Sequence, residues 1–137
     1  MFEFGIPVAF CDRYAIGLDI VNEFFGGDRL QNHPIDFHKF EKIAKILKAK
    51  FGELYTNIEK ISDEELSLYH DTDYLKALSG EKTVIEDIFR TKLPEGMNAA
   101  VLNRFLVDPA RYMTAGTVAA SRLAMECGWA INLGGGF

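Results

Sequence analysis

The stretch Trp129-Ala130-Ile131-Asn132-Leu133-Gly134-Gly135-Gly136-Phe137 constrains the fold of this chain more than any other. It follows a segment that opens with Asp108-Pro109, a helix-start pair with Asp as cap and Pro at the first helical position, and stops at Gly128. A continuous apolar run directly after a helix reads as a strand buried on both faces, as in a parallel sheet. Ligands of open α/β sheets gather beyond the carboxyl ends of such strands. Three successive glycines at that end allow unusual backbone angles and a close approach to a ligand. The reading is therefore an α/β fold, a parallel sheet flanked by helices, with a candidate site after residue 133.

Other segments fit that plan. Ile6-Pro7-Val8-Ala9-Phe10 reads as an opening strand, with Pro7 suited to a strand start. Residues 12 to 33 sustain no period and contain a Gly26-Gly27-Asp28 turn, so a long loop is expected there. Asp36 is placed to cap a helix whose apolar positions Phe37, Phe40, Ala44, Leu47 and Phe51 recur at helical spacing, with Gly52 to end it. Lys39, Lys42, Lys45 and Lys48 are spread along that helix as a solvated face rather than clustered as an anion patch. Glu53-Leu54-Tyr55 reads as a second short strand.

Ser62-Asp63-Glu64-Glu65 has the form of a capping box, with Ile61 and Leu66 placed as a staple. A short helix is expected to start within His70-Asp71-Thr72-Asp73-Tyr74-Leu75 and to end near Gly80. Residues 81 to 107 give only a helical turn or two, around Val84, Ile85, Ile88 and Phe89, then a break at Leu93-Pro94-Glu95-Gly96. Ala115, Gly116, Ala119 and Ala120 would let the last helix approach a sheet closely.

Composition supports a folded domain, since 48% of the 137 residues are hydrophobic, including 11 Phe. The formal charge of -5 lacks the basic face that direct binding to nucleic acid needs. No stretch nears the roughly 20 apolar residues that span a bilayer, and the first residues lack a signal-peptide pattern. Cys11 and Cys127 form no Cys-x-x-Cys pair and read as two buried, reduced thiols, which implies a cytosolic or nuclear home.

Chemistry-bearing patterns are sparse. The histidines are His33, His38 and His70, with no His-Glu-x-x-His helix and no Cys/His zinc array. His70, Asp71 and Asp73 form a conceivable metal cluster, but helix capping accounts for the two acids. No Gly-x-Ser-x-Gly elbow marks a nucleophile. The glycine run is neither a Walker loop nor a complete Gly-x-Gly-x-x-Gly fingerprint, so a plain turn and a nucleotide loop both stay open.

Taken in order, several stretches resemble the histone deacetylase superfamily, and its class IV branch most closely. They are His33-Pro34 opening a basic helix, the Ser62-Asp63-Glu64-Glu65-Leu66 box, Tyr69-His70-Asp71-Thr72-Asp73-Tyr74-Leu75, Thr114-Ala115-Gly116-Thr117, and the run from Gly128 to Phe137. The last is the most specific, because paired histidines follow it directly in that family. The resemblance implies a parallel arginase-type α/β sheet and hydrolysis of acyl groups from lysine side chains. It implies one Zn2+ held by two aspartates and a histidine, which polarises the amide carbonyl and lowers the pKa of its bound water. It also implies an acyl-lysine protein or peptide as substrate, with long fatty acyl groups preferred.

On this resemblance residues 1–137 are the N-terminal part of a single domain, incomplete here, and the zinc ligands, paired histidines and oxyanion tyrosine have no counterpart. Gly136 and Phe137 match the run beside the acyl tunnel, and Gly135 a glycine lining the internal cavity beneath the zinc. Lys39 stands where many relatives carry an arginine reaching that cavity, and His33 and Pro34 would border the pocket entrance. Lysine keeps the charge there without the bidentate fork. The expectation is a zinc-dependent lysine deacylase in the longer protein, with this chain alone inactive. The alternative is a naturally short, non-catalytic interaction or remnant protein. For the isolated chain an exposed apolar strand edge at 129 to 133 predicts poor solubility or partial folding.

Overall fold

The computed structural model describes residues 6–15, 38–90, 93 and 95–134. These residues are mostly helical, with two short parallel strands, β1 (Val8–Ala9) and β2 (Ile131–Asn132). Val8 lies opposite Ile131 and Ala9 opposite Asn132. The ladder is closed by Ile131 N–H donating to the Pro7 carbonyl at 2.9 Å and Leu133 N–H to that of Ala9 at 3.0 Å. On the other side of β1, Tyr55 makes one parallel bridge to Ala9. There Tyr55 N–H donates to the Val8 carbonyl and Phe10 N–H to that of Tyr55. The segment read as a second strand, Glu53-Leu54-Tyr55, thus pairs at Tyr55 alone.

The strand buried on both faces is β1, not β2. β1 has a hydrogen-bonded neighbour on each side, and Val8 and Ala9 are both buried. Among the described residues β2 pairs with β1 only. Trp129 is 62% and Ile131 46% exposed, so the apolar run carries an open flank instead of a covered one.

Helix α1 (Lys39–Phe51) carries the predicted period, but the expected cap Asp36 and the core position Phe37 lie outside the described residues. His38 stands at its N-cap, its side chain 3.7 Å from Glu41 and not bonded to the helix amides, and Gly52 ends it with φ of 90°. Only Ala44 is fully buried. Phe40 and Leu47 are half-buried, while Phe51, expected in the core, is exposed together with Ile43 and Ile46. The short helix α2 (Asp63–Leu66) is closed by the expected capping box: Ser62 Oγ accepts from Glu65 N–H and Glu65 accepts from Ser62 N–H, both at 3.1 Å. In α3 (Thr72–Gly80) the Asp71 carboxylate caps the N-terminus by accepting from Asp73 N–H at 2.8 Å.

Residues 81 to 107, weakest in pattern, form α4 (Lys82–Phe89), α5 (Ala99–Leu102) and a π turn (Asn103–Val107) that runs without a break into α6 (Asp108–Cys127). The expected cap Asp108 is therefore inside a helix, with φ of -61° and ψ of -46°. The true cap is Asn98, whose side chain accepts from Val101 N–H at 3.0 Å. Pro109 tolerates this placement because the helix widens just before it. Asp108 N–H reaches back five residues to the Asn103 carbonyl, a π-type bond that opens space where the proline ring would meet the preceding turn. The Asp108 carboxylate pairs instead with Lys60 Nζ at 3.0 Å.

One core lies under the sheet, built from Ala9, Cys11, Tyr14, Ile58, Met113 and Ala120, and α6 packs on β1, β2 and the 3-10 turn Asp12–Tyr14. A second joins α4, α5 and the π turn through Ile85, Leu93, Met97, Leu102 and Val107. Gly128, with φ of 92°, ends α6 as its pattern predicts. Both cysteines are free; Cys11 is buried, but Cys127, expected inside, is exposed on the last turn of α6. Among the described residues no helix is long and apolar enough to cross a membrane.

Candidate functional site

Because β1 and β2 run parallel, their carboxyl ends open on the same side of the sheet. β1 continues through Phe10 and Cys11 into the 3-10 turn, whose last residue, Tyr14, folds back into the core and is 1% exposed. Its ring meets Phe10 edge-on, at 5.9 Å and 82°. Its hydroxyl donates to Asn132 Oδ1 at 2.9 Å. The same oxygen accepts Gly134 N–H at 3.2 Å. Asn132 Nδ2 donates to the Met113 carbonyl and to Thr117 Oγ1, both at 3.1 Å, and the Thr117 hydroxyl donates in turn to the Met113 carbonyl. An amide has two donors and a carbonyl with two lone pairs, so the side chain of Asn132 is fully satisfied. Burial, helped by the neighbouring Cys11, pushes the Tyr14 hydroxyl well above its ordinary range, so it stays a donor.

This knot leaves no room for side chains at two glycines. A Cβ on Gly116 would overlap the Tyr14 hydroxyl, and one on Gly134 would overlap the Tyr14 ring. The small-residue face of α6 thus accommodates Tyr14 and Asn132 as well as the strands.

Beside the knot, between the end of β1, α1 and residues 53–56, lies a cleft of about 470 Å³. Phe10, Phe40, Ala44 and Leu54 make its apolar lining, with the Cys11 thiol among them. Of the charges around it, Lys45 meets Glu41 at 2.7 Å and Lys48 meets Glu53 at 3.1 Å, while Asp12 accepts from the Cys11 thiol. The bond to Lys45 holds the Glu41 carboxyl below its usual range. Burial pushes the Cys11 thiol up, so it is a protonated, apolar wall and not a thiolate nucleophile. The cleft can shelter an apolar group.

The residues singled out from the sequence fare unevenly. His33, Pro34, Gly135, Gly136 and Phe137 lie outside the described residues. Lys39 is exposed, its Nζ 4.9 Å from the centre of the Phe40 ring, and does not line the cleft. His70 is exposed, its ring centre 5.6 Å from that of Tyr74 and tilted by 35°, while Asp71 caps α3 and Asp73 meets Lys76 at 3.4 Å. Among the described residues no three His, Cys, Asp or Glu are gathered to hold a metal ion, so the two-aspartate, one-histidine set of a zinc site does not fit this part of the molecule.

Sequence reasoning missed Tyr14, Asn132 and Thr117. The available signal was Asn132, the one amide in an otherwise apolar strand, which demands buried partners.

No family model matches the chain, and no solved structure matches it significantly. Among curated proteins it is similar to "Histone deacetylase 2" of Arabidopsis thaliana, with 33% identity over an alignment of 132 residues that covers 90% of this chain. The chain spans about a third (32%) of the length of that relative. The similarity to that protein runs along nearly all of this chain.

Proposed function

From that relationship we propose that this chain is the N-terminal part of a class IV-like, zinc-dependent lysine deacylase. The single observation that carries the reading is the 33% identity over 90% of the chain. It is supported by the ordered motifs that end in Gly134-Gly135-Gly136-Phe137, and by the parallel pairing that brings Gly134 to the carboxyl edge of the sheet. The substrate is an acyl-lysine protein or peptide in the cytosol or nucleus. Zinc and its ligands belong to residues outside these 137, and the isolated chain does not hydrolyse acyl-lysine. In the longer protein the part played by these residues is structural support: a buried donor network at the end of β2 and an apolar cleft beside it.

The test is the intact mass of the endogenous protein, together with the transcript sequence beyond the Phe137 codon. A longer product that continues into paired histidines, binds zinc and releases acyl groups from lysine peptides is the expected result. A product of 15.4 kDa with no such activity would replace this reading by the non-catalytic alternative, which the open apolar flank at Trp129 and Ile131 favours as a surface for partners.

A further inference from the structure

The chain turns at Gly134 on leaving β2, and two constraints that end on Tyr14 fix its direction there. Asn132 Oδ1 accepts both the Tyr14 hydroxyl and Gly134 N–H. The Tyr14 ring also fills the space where any side chain at position 134 would stand. Neither constraint is needed for the register of the sheet, which the backbone bonds of Ile131 and Leu133 to β1 already supply. Tyr14 itself is 1% exposed, and its hydroxyl is turned inward onto Asn132. A buried hydroxyl with no role in pairing, anchored through an amide whose every donor and acceptor is used, is a means of placing a loop.

We propose that Tyr14 is a positioning residue, acting through Asn132 to fix the backbone at Gly134, where the chain leaves β2 at the carboxyl edge of the sheet. This rests on the deacylase reading above. Tyr14 works on the reaction only through the geometry at Gly134, as supporting side chains hold reacting groups within a fraction of an ångström.

Residue-resolved amide exchange in this chain tests the geometric half. In Tyr14→Phe, exchange at Gly134 should quicken on the order of tenfold, while Ile131 and Leu133 stay within about twofold. A uniform rise at all three would mean a loosened sheet and overturn the proposal; so would an unchanged Gly134. Should Tyr14→Phe fail to fold, Thr117→Val takes its place. It removes the acceptor of Asn132 Nδ2, leaves Tyr14 intact, and should give the same pattern. The catalytic half is read in the longer protein with an acetyl-lysine peptide: Tyr14→Phe should lower kcat by about tenfold with KM within about twofold. Equal loss in kcat and stability across Tyr14→Phe and Thr117→Val, with Gly134 no faster than its neighbours, would assign Tyr14 to folding alone. Absence of hydrolysis by the unsubstituted protein would sink the deacylase reading and the positioning role with it, leaving exchange to decide only whether Tyr14 sets the turn.

Discussion

Gly116→Ala puts the Tyr14 knot under direct load. Gly116 lies inside α6, where alanine is ordinarily better than glycine by about 1 kcal/mol. Here the added Cβ would overlap the Tyr14 hydroxyl and sit 2.7 Å from Asn132 Oδ1 and 2.8 Å from Tyr14 Cζ. The helix backbone is fixed and both neighbours are packed, so the ring must move. Overpacking of this kind costs about 1–3 kcal/mol. Moving the ring also breaks the bond to Asn132, and a buried hydroxyl without a partner costs roughly 1–3 kcal/mol more. After the propensity gain the net expectation is a loss of about 1–5 kcal/mol, with the sign set by packing and not by propensity.

The assay is urea unfolding followed by far-ultraviolet circular dichroism, at concentrations below those at which the strand edge self-associates. Gly80→Ala is the control: a Cβ at Gly80, the last residue of α3, meets nothing within 4 Å, so that variant should hold or gain up to about 1 kcal/mol. In a Tyr14→Phe background, part of the overlap at Gly116 disappears, and the penalty of Gly116→Ala should shrink by at least about 1 kcal/mol. A Gly116→Ala protein as stable as the parent would refute the reasoning, as would a penalty that ignores Tyr14→Phe.

Other consequences can be read with the same equipment. Tyr14 is raised in the fold above its ordinary value of 10.0, so its neutral form is favoured in the native state while the unfolded chain ionises. Stability is then level up to about pH 10 and falls above it by up to about 1.4 kcal/mol per pH unit; identical alkaline slopes for the parent and Tyr14→Phe would disprove this. Ser62→Ala should cost about 1 kcal/mol through loss of the cap, as a lowered urea midpoint would show. The Ser62 backbone N–H and, second to it, the Ser62 hydroxyl hold the Glu65 carboxyl below its ordinary 4.5; the hydroxyl's share, which the substitution removes, is present above that value and lost as pH falls through the lowered one. The Ser62→Ala midpoint should accordingly depend less on acid. Ile131→Lys places a charge on the open flank of β2 and should raise the soluble fraction on expression, which sedimentation of the lysate measures.

What was legible beforehand was local. The capping box at Ser62, the Asp71 cap and the stop at Gly128 depend on residues within a few positions of each other, and each appears as read, while the period of α1 holds at Phe40, Ala44 and Leu47. Asp108-Pro109 misled for a physical reason: the pair is a start signal only when nothing helical precedes it. Asn98 caps a turn whose widening at Asn103–Val107 lets the helix pass through Pro109. Residue type and period place Phe51 and Cys127 inward, but neither says how much of a helix its neighbours cover, and both are exposed. Which strand is central could not be read either, because an apolar run does not say how many neighbours it has; among the described residues β1 has two and β2 one.

The candidate site depended on contacts between residues 118 positions apart, Tyr14 and Asn132, which no local pattern joins. Yet the amide in the strand implied them. Asn132→Leu makes the run from Trp129 to Leu133 uniformly apolar and, judged by pattern alone, should strengthen the strand. In the fold it removes the acceptor of the Tyr14 hydroxyl and of Gly134 N–H at once. Each donor left dry costs roughly 1–3 kcal/mol, against about 1.5–3 kcal/mol gained where a leucine is fully buried. Position 132 is only half-buried, so the gain is the smaller side. Asn132→Leu should therefore unfold at lower urea than the parent. A midpoint equal to or above the parent's would show that apolar burial, and not the shared acceptor, holds the end of β2 in place.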